Sequence, residues 1–345
     1  MKQKRSPLFD IWKGIAILMV CITHFSWKDD QRLDLLFPFW ISMAVPIFMI
    51  VMGYLTAASW DRKGCQLRDL YGFDNLKAKL VQYLRPFAAF FAAELLLEPL
   101  VHGKFVSFSD GLSAFLSGGL GKFGTYYVPI LVQMLFLFPL IYALLRNNVR
   151  NISLLFAVNL LYELCKDSLG IEKADYRLLA FRYIFLISMG CWLYFKRDHL
   201  SPIGQVLMLA FGVLYVYGIS YTNYRPAIFT RWNTTSMMTA FYALPIVAFS
   251  LKFGRKLHCA FLEHLGRASY FIFLFQMIYY NYLKTLIPIE TRWLKLAVGV
   301  SICLAGGYGF YLLDNRVCAA VKKHRAVQAG HAVPGKLKSP SHVSA

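Results

Sequence analysis

The sequence predicts an all-α fold, a polytopic transmembrane helix bundle of about ten helices with both termini on the cytoplasmic side. Of its 345 residues 58% are hydrophobic and only 16% are charged, well outside the balance of soluble domains. The apolar residues gather in runs of about 17 to 25, the length a bilayer core demands of a helix. The 37 Lys and Arg cluster between the runs, in clear excess on the side that holds the N-terminus, which the positive-inside rule makes cytoplasmic.

The expected spans are 11–27, 35–58, 80–101, 126–146, 151–167, 178–195, 203–220, 234–252, 268–287 and 294–314. The first follows a basic N-terminus, "MKQKRSPLFDIWK", and lacks an A-x-A cleavage site, so it reads as an uncleaved helix. Between the second and third lies the most basic loop, "WDRKGCQLRDLYGFDNLKAK". That loop serves either as a positive-inside anchor or as a surface for the phosphates of a cytosolic anionic ligand. The glycine-containing stretch before the fourth span, "SFSDGLSAFLSGGLGKFGTYY", lacks phosphate-loop spacing and reads as an external loop over a cavity. The fifth span is short and carries Glu163; the sixth carries Arg182.

After Asp314 the chain turns polar, basic and Pro/Gly/Ser-containing, so the expected organisation is a membrane domain, 1–314, and a basic, disordered cytoplasmic tail, 315–345. Lipid headgroups are natural partners for its cations. A formal charge of +19 would point to nucleic acid in a soluble protein. Here the cations are split among loops, and no nucleic-acid partner is expected. The seven cysteines show no C-x-x-C pair, so neither a disulfide framework nor a metal site is expected. No internal repeat is visible, which counts against transporters built on inverted repeats.

Candidate chemistry begins in the first span, "KGIAILMVCITHF". Eleven helical residues turn through about 1100°, so Lys13 and His24 share a face, roughly 16 Å apart along the axis. Asp10, three residues before Lys13, is placed to pair with it. Ionisable groups inside a bilayer face a bundle interior or a watery cavity. Snorkelling of Lys13 and a hydrogen-bonded core role for His24 are the plain alternatives. The third span carries Arg85, Glu94 and Glu98, and Arg182 is a cation within an apolar run; interhelical ion pairing is the plain alternative for these.

These residues resemble the membrane-bound acyltransferase family 3. "LFDIWKGIAILMVCITHF" is similar to its first helix, in which an Asp precedes a basic residue that stands eleven positions before a His. "PIFMIVMGYL" resembles its second-helix motif, "KAKLVQYLRP" the basic start of its third helix, "TYYVPILVQMLFLFPLI" its aromatic fourth-helix region, and "LGRASYFIFLFQ" its penultimate helix. The likeness runs from about residue 8 to about residue 314. Lys13 stands where the family more often has Arg, Met52 where it has Ser, Gln82 at the first position of a paired-Arg motif, and Gln276 where many members carry a second His.

The resemblance implies transfer of an acyl group, usually acetyl, from cytosolic acyl-CoA to a hydroxyl of a cell-surface polysaccharide or lipid-linked saccharide. Acetyl-CoA or another acyl-CoA is then a donor substrate, with no permanently bound cofactor. Asp10, Lys13, Lys79 and Arg85 are the donor-binding candidates. His24 is the candidate general base with Glu94 assisting, and Arg182 and Gln276 are candidate pocket residues. The expected location is the plasma or bacterial inner membrane, crossed many times. A glycan or glycolipid exporter, and a family member that has lost activity, are the alternatives.

Overall fold

The computed structural model describes residues 7–121, 126–196, 199–222, 224, 226, 229, 231–254 and 256–328. Among them every regular element is helical. In chain order these are α1 (Pro7–Thr23), α2 (Asp29–Asp34), α3 (Ala44–Arg62), α4 (Leu67–Leu70), α5 (Phe73–His102), α6 (Phe108–Ser117) and α7 (Tyr127–Asn147). There follow α8 (Ile152–Cys165), α9 (Lys173–Leu178), α10 (Ile184–Lys196), α11 (Pro202–Tyr221), α12 (Ala240–Phe253), α13 (Ala260–Ile278) and α14 (Arg292–Gln328).

The long apolar runs become α1, α3, α5, α7, α8, α10, α11, α12, α13 and α14; the short α2, α4, α6 and α9 lie between them. Length separates two groups. Five segments, Phe37–Arg62, Phe73–His102, Tyr127–Asn147, Pro202–Tyr221 and Arg292–Val321, are long and apolar enough to cross a membrane by themselves. Others are shorter than the sequence predicts. At 1.5 Å per residue the 13 residues of α10 cover about 20 Å, short of a hydrocarbon core of about 30 Å. Tight 3-10 turns precede these shorter helices, Val149–Asn151 before α8, Ala180–Tyr183 before α10 and Met237–Thr239 before α12. Apolar periodicity does not distinguish those turns from α-helix.

The last helix also differs from expectation. It carries on past Asp314 to Gln328, so the described part of the basic tail is helical. Residues 329–345 of that tail, and Lys122 to Thr125 of the glycine-containing loop, lie outside the described residues.

The core has two parts that α1 joins. Phe9 and Ala16 pack with α3, α7, α10 and α12, whereas Ile17, Val20 and Cys21 pack with α5, α13 and the buried side of α14. At the periphery, α11 leaves Ile203, Val206, Leu207 and Leu214 exposed, an apolar outer face that suits lipid.

Small residues set the helix spacing. A methyl group on Gly14 would collide with the Leu262 carbonyl, and one on Gly266 with the Asp10 carbonyl, so α1 and α13 cross backbone against backbone. Gly53 and Gly190 do the same for α3 and α10, against the carbonyls of Ile187 and Ile50.

Gly190→Ala is expected to lower the thermal unfolding midpoint of the detergent-purified protein, because overpacking a tight contact costs about 1–3 kcal/mol. Gly218→Ala, where an added methyl meets nothing within 4 Å, is the matched control and leaves the midpoint where it is.

Candidate active site

The crossing of α1 and α13 assembles an ionic cluster at one end of α1. Asp10 is buried to 3% exposure, and its Oδ1 takes the Lys13 ammonium at 2.8 Å. Arg267 of α13 brings Nε to 3.7 Å from the other carboxylate oxygen and Nη2 to 3.4 Å from Glu263. Arg267 lies next to Gly266, so the close crossing is what delivers it.

At the other end, His24 follows the last residue of α1 and still donates its backbone N–H to the Val20 carbonyl at 3.4 Å, which extends the helical register to it. The imidazole lies 6.2 Å from the ring of Tyr280, whose hydroxyl donates to the Cys21 carbonyl at 2.6 Å.

His24 opens on a cavity of about 380 Å³ that also takes lining from Arg32, Arg177, Arg182, Asn233 and Tyr270. That volume falls at the lower end of the usual range of ligand pockets, about 300 to 1,000 Å³. Arg182 is its most buried cation, at 3% exposure. Its Nη2 donates to Asn233 Oδ1 at 2.9 Å and to the Thr235 hydroxyl, and its guanidinium stacks on Tyr176 and Tyr183.

A second, smaller cavity of about 60 Å³ lies between α3, α5 and α7, with Met52, Asn75, Lys79 and Tyr83 in its lining. The two cavities are stacked along the same helices. Phe48 of α3 lines the larger and Met52, one turn on, the smaller; Tyr127 and Leu131 repeat the pattern on α7. Between them the Tyr270 hydroxyl donates to the Tyr83 carbonyl at 2.8 Å, with the two rings 6.3 Å apart.

The acyltransferase domain family matches this chain over residues 7–312. The chain belongs to that family. It is a membrane acyltransferase, as its apolar helices and nearly chain-long match require. No curated protein and no solved structure matches it.

The acyltransferase brings some of the sequence-predicted residues together and keeps others apart. Asp10 and Lys13 form one ion pair, His24 and Arg182 share the larger cavity, and Lys79 lines the smaller one. Arg85 points elsewhere: its Nη2 pairs with Asp314 of α14 at 2.6 Å. Glu94 is buried outside the larger cavity's lining, where its Oε2 accepts the Leu120 N–H at 3.1 Å. Gln276 is fully buried with no hydrogen-bond partner for either amide atom among the described residues, and it too is outside that lining.

Arg32, Arg177, Tyr270, Asn233 and Arg267 were not singled out by the sequence reading. Arg32 and Arg177 look there like ordinary loop cations. Arg267 and Tyr270 stand inside the quoted "LGRASYFIFLFQ", and only the packing of α13 shows what they face.

Removing the Asp10 carboxylate takes the 2.8 Å ion-pair partner from a largely buried ammonium. Asp10→Ala is therefore expected to cost several kcal/mol, toward the roughly 3–5 kcal/mol of a broken buried pair. Arg267→Gln removes a 3.7 Å contact from a side chain 46% exposed and is expected to cost at most about 1 kcal/mol. Thermal midpoints of the two variants in detergent measure the difference.

Proposed function

We propose that this membrane acyltransferase moves an acyl group, in the first place acetyl, from cytosolic acyl-CoA to a hydroxyl of a cell-surface polysaccharide or lipid-linked saccharide. In this reading the ten apolar helices cross the plasma or bacterial inner membrane, the short ones with help from their flanking turns. Both termini lie in the cytoplasm. The observation that carries the reading is the stacking of two cavities along α3 and α7, with the Tyr83–Tyr270 hydrogen bond joining a lining residue of each.

The donor approaches from the smaller cavity. Lys79, half-buried in its lining, offers an ammonium to the donor's phosphates, with Lys77 and the loop cations Arg62 and Lys63 nearby in sequence. The pantetheine arm, an extended chain, passes the tyrosine pair and delivers the thioester carbonyl to the larger cavity. There the acceptor hydroxyl meets His24. The neutral imidazole takes the hydroxyl proton as oxygen attacks, the new C–O bond forms, and the C–S bond breaks. The departing thiolate leaves as coenzyme A after taking the proton back from the imidazolium. A positioned general base of this kind contributes about 10² to 10⁴-fold.

Two assays test the proposal. In lipid nanodiscs, acyl-CoA turnover with a saccharide acceptor is expected to fall about 10² to 10⁴-fold in His24→Ala. Turnover equal to the parent protein's would remove His24 from the chemistry. Lys79→Ala is expected to raise the KM for acyl-CoA about tenfold and to leave kcat nearly unchanged, the pattern for loss of a charged hydrogen bond to the donor. Flux of a labelled glycan into proteoliposomes with no dependence on acyl-CoA would replace the enzyme by an exporter.

A further inference from the structure

Three guanidinium groups, from Arg32, Arg177 and Arg182, line the cavity that holds His24, and among the described residues no Asp or Glu does. Two of them, Arg32 and Arg177, are exposed, so solvent screens them. Arg182 is different. At 3% exposure it has left water, and a buried cation is costly unless it is paired and hydrogen-bonded. Its hydrogen bonds go to neutral groups, the Asn233 amide and the Thr235 hydroxyl, and its faces lie on tyrosine rings. The Nε–H has no hydrogen-bond partner among the described residues. The buried Glu163 carboxylate accepts the Tyr176 hydroxyl at 2.8 Å and acts on Arg182 through space, without contacting it and without joining the lining.

We propose that this cavity recognises an acceptor saccharide bearing an oxyanion, held by Arg182 with Arg32 and Arg177, next to the hydroxyl that faces His24. The proposal rests on the acyl-transfer reading and adds the charge class of the acceptor. Asn233, Thr235, Tyr176 and Tyr183 fix the guanidinium in place, so the N–H groups it has left are preorganised for an anion. Arg32 and Arg177 raise the local potential and draw the anion in. A cavity of about 380 Å³ admits a short saccharide end, so the charge belongs close to the reacting hydroxyl. A sugar carboxylate and the phosphate of a lipid carrier offer the same chemistry.

The experiment reads binding to the full chain in nanodiscs of neutral lipid, with no acyl-CoA present. The probes are a glucuronate-containing oligosaccharide, its carboxyl-reduced neutral counterpart, and a neutral oligosaccharide on an isoprenyl pyrophosphate. At least one anionic probe is expected to bind about tenfold or more tightly than the neutral one, and which of the two does so identifies the source of the charge. Arg182→Gln is expected to abolish the preference and Arg182→Lys to restore part of it. Arg177→Gln, at an exposed position that leaves folding intact, is expected to weaken the preference and flatten its salt dependence.

Equal affinity for all three probes overturns the proposal, as does competition by coenzyme A for the anion's place, which would assign the arginines to the donor. Acyl transfer to the neutral probe at the rate of the charged ones overturns it while leaving the acyltransferase reading standing. Anion preference without transfer from any acyl-CoA does the reverse.

Discussion

The backbone contact between α1 and α13 at Gly14 and Gly266 is the constraint on which the rest of the site depends. Two helices this close have no room to slide, because each glycine faces a carbonyl of the other. With that crossing set, the neighbours follow in order along the two helices. Asp10 meets Arg267, and further on the Tyr280 ring comes beside His24. Tyr270, three residues after Arg267, reaches across to the Tyr83 carbonyl of α5. A wider spacing would loosen these contacts together. The contact between α3 and α10 plays the same part on the other side of the cavity, where it fixes the helix that continues from the Arg182–Tyr183 turn.

Charge is handled in three ways in the apolar interior. Asp10 and Lys13 neutralise each other within one turn of one helix. Arg85 and Asp314 do so across helices and tie α5 to α14. Arg182 alone among these makes no ion pair: it hydrogen-bonds neutral groups and stacks on tyrosine rings, with the Glu163 carboxylate reaching it only at longer range. That third solution leaves the cation without a contacting carboxylate, which suits the proposed role of meeting a ligand's charge.

Most of the fold was legible because one constraint dominates it. In hydrocarbon a backbone must satisfy its own polar groups, so an apolar run of bilayer length becomes a helix whatever its detailed composition. The exceptions are the segments where packing substitutes for length. The turns that lead into α10 and α12, Ala180–Tyr183 and Met237–Thr239, are largely apolar like the helices they precede. The site was legible where the chemistry lies on one helix: the eleven-residue spacing of Lys13 and His24 needs only the helical repeat. It was not legible where partners lie on different helices. Arg85 and Lys79 are six residues apart and look like one basic cluster in the sequence. On α5 they point about 120° apart, one toward α14 and the other into a cavity. Glu94 and Gln276 are read in sequence as polar groups near the pocket. Where each side chain points depends on rotation of helices about their axes, which no local pattern encodes.

The same geometry bears on whether a lysine at position 13 can replace the family's more common arginine. An ammonium is a point charge, and here Asp10 holds it at 2.8 Å, so little of it is left to attract a phosphate. The planar fork that an arginine would bring is present nonetheless, on the neighbouring helix at Arg267. It is loosely held and half exposed, with its longer contacts to Asp10 and Glu263. Among the described residues, Lys13, Arg267, Asp10 and Glu263 together carry no net charge. The cluster therefore works first as a clamp between α1 and α13, and only by giving up one of its internal pairs could it bind an anion. That cost shifts the burden of donor recognition in the proposed reaction toward Lys79, a cation already facing a cavity.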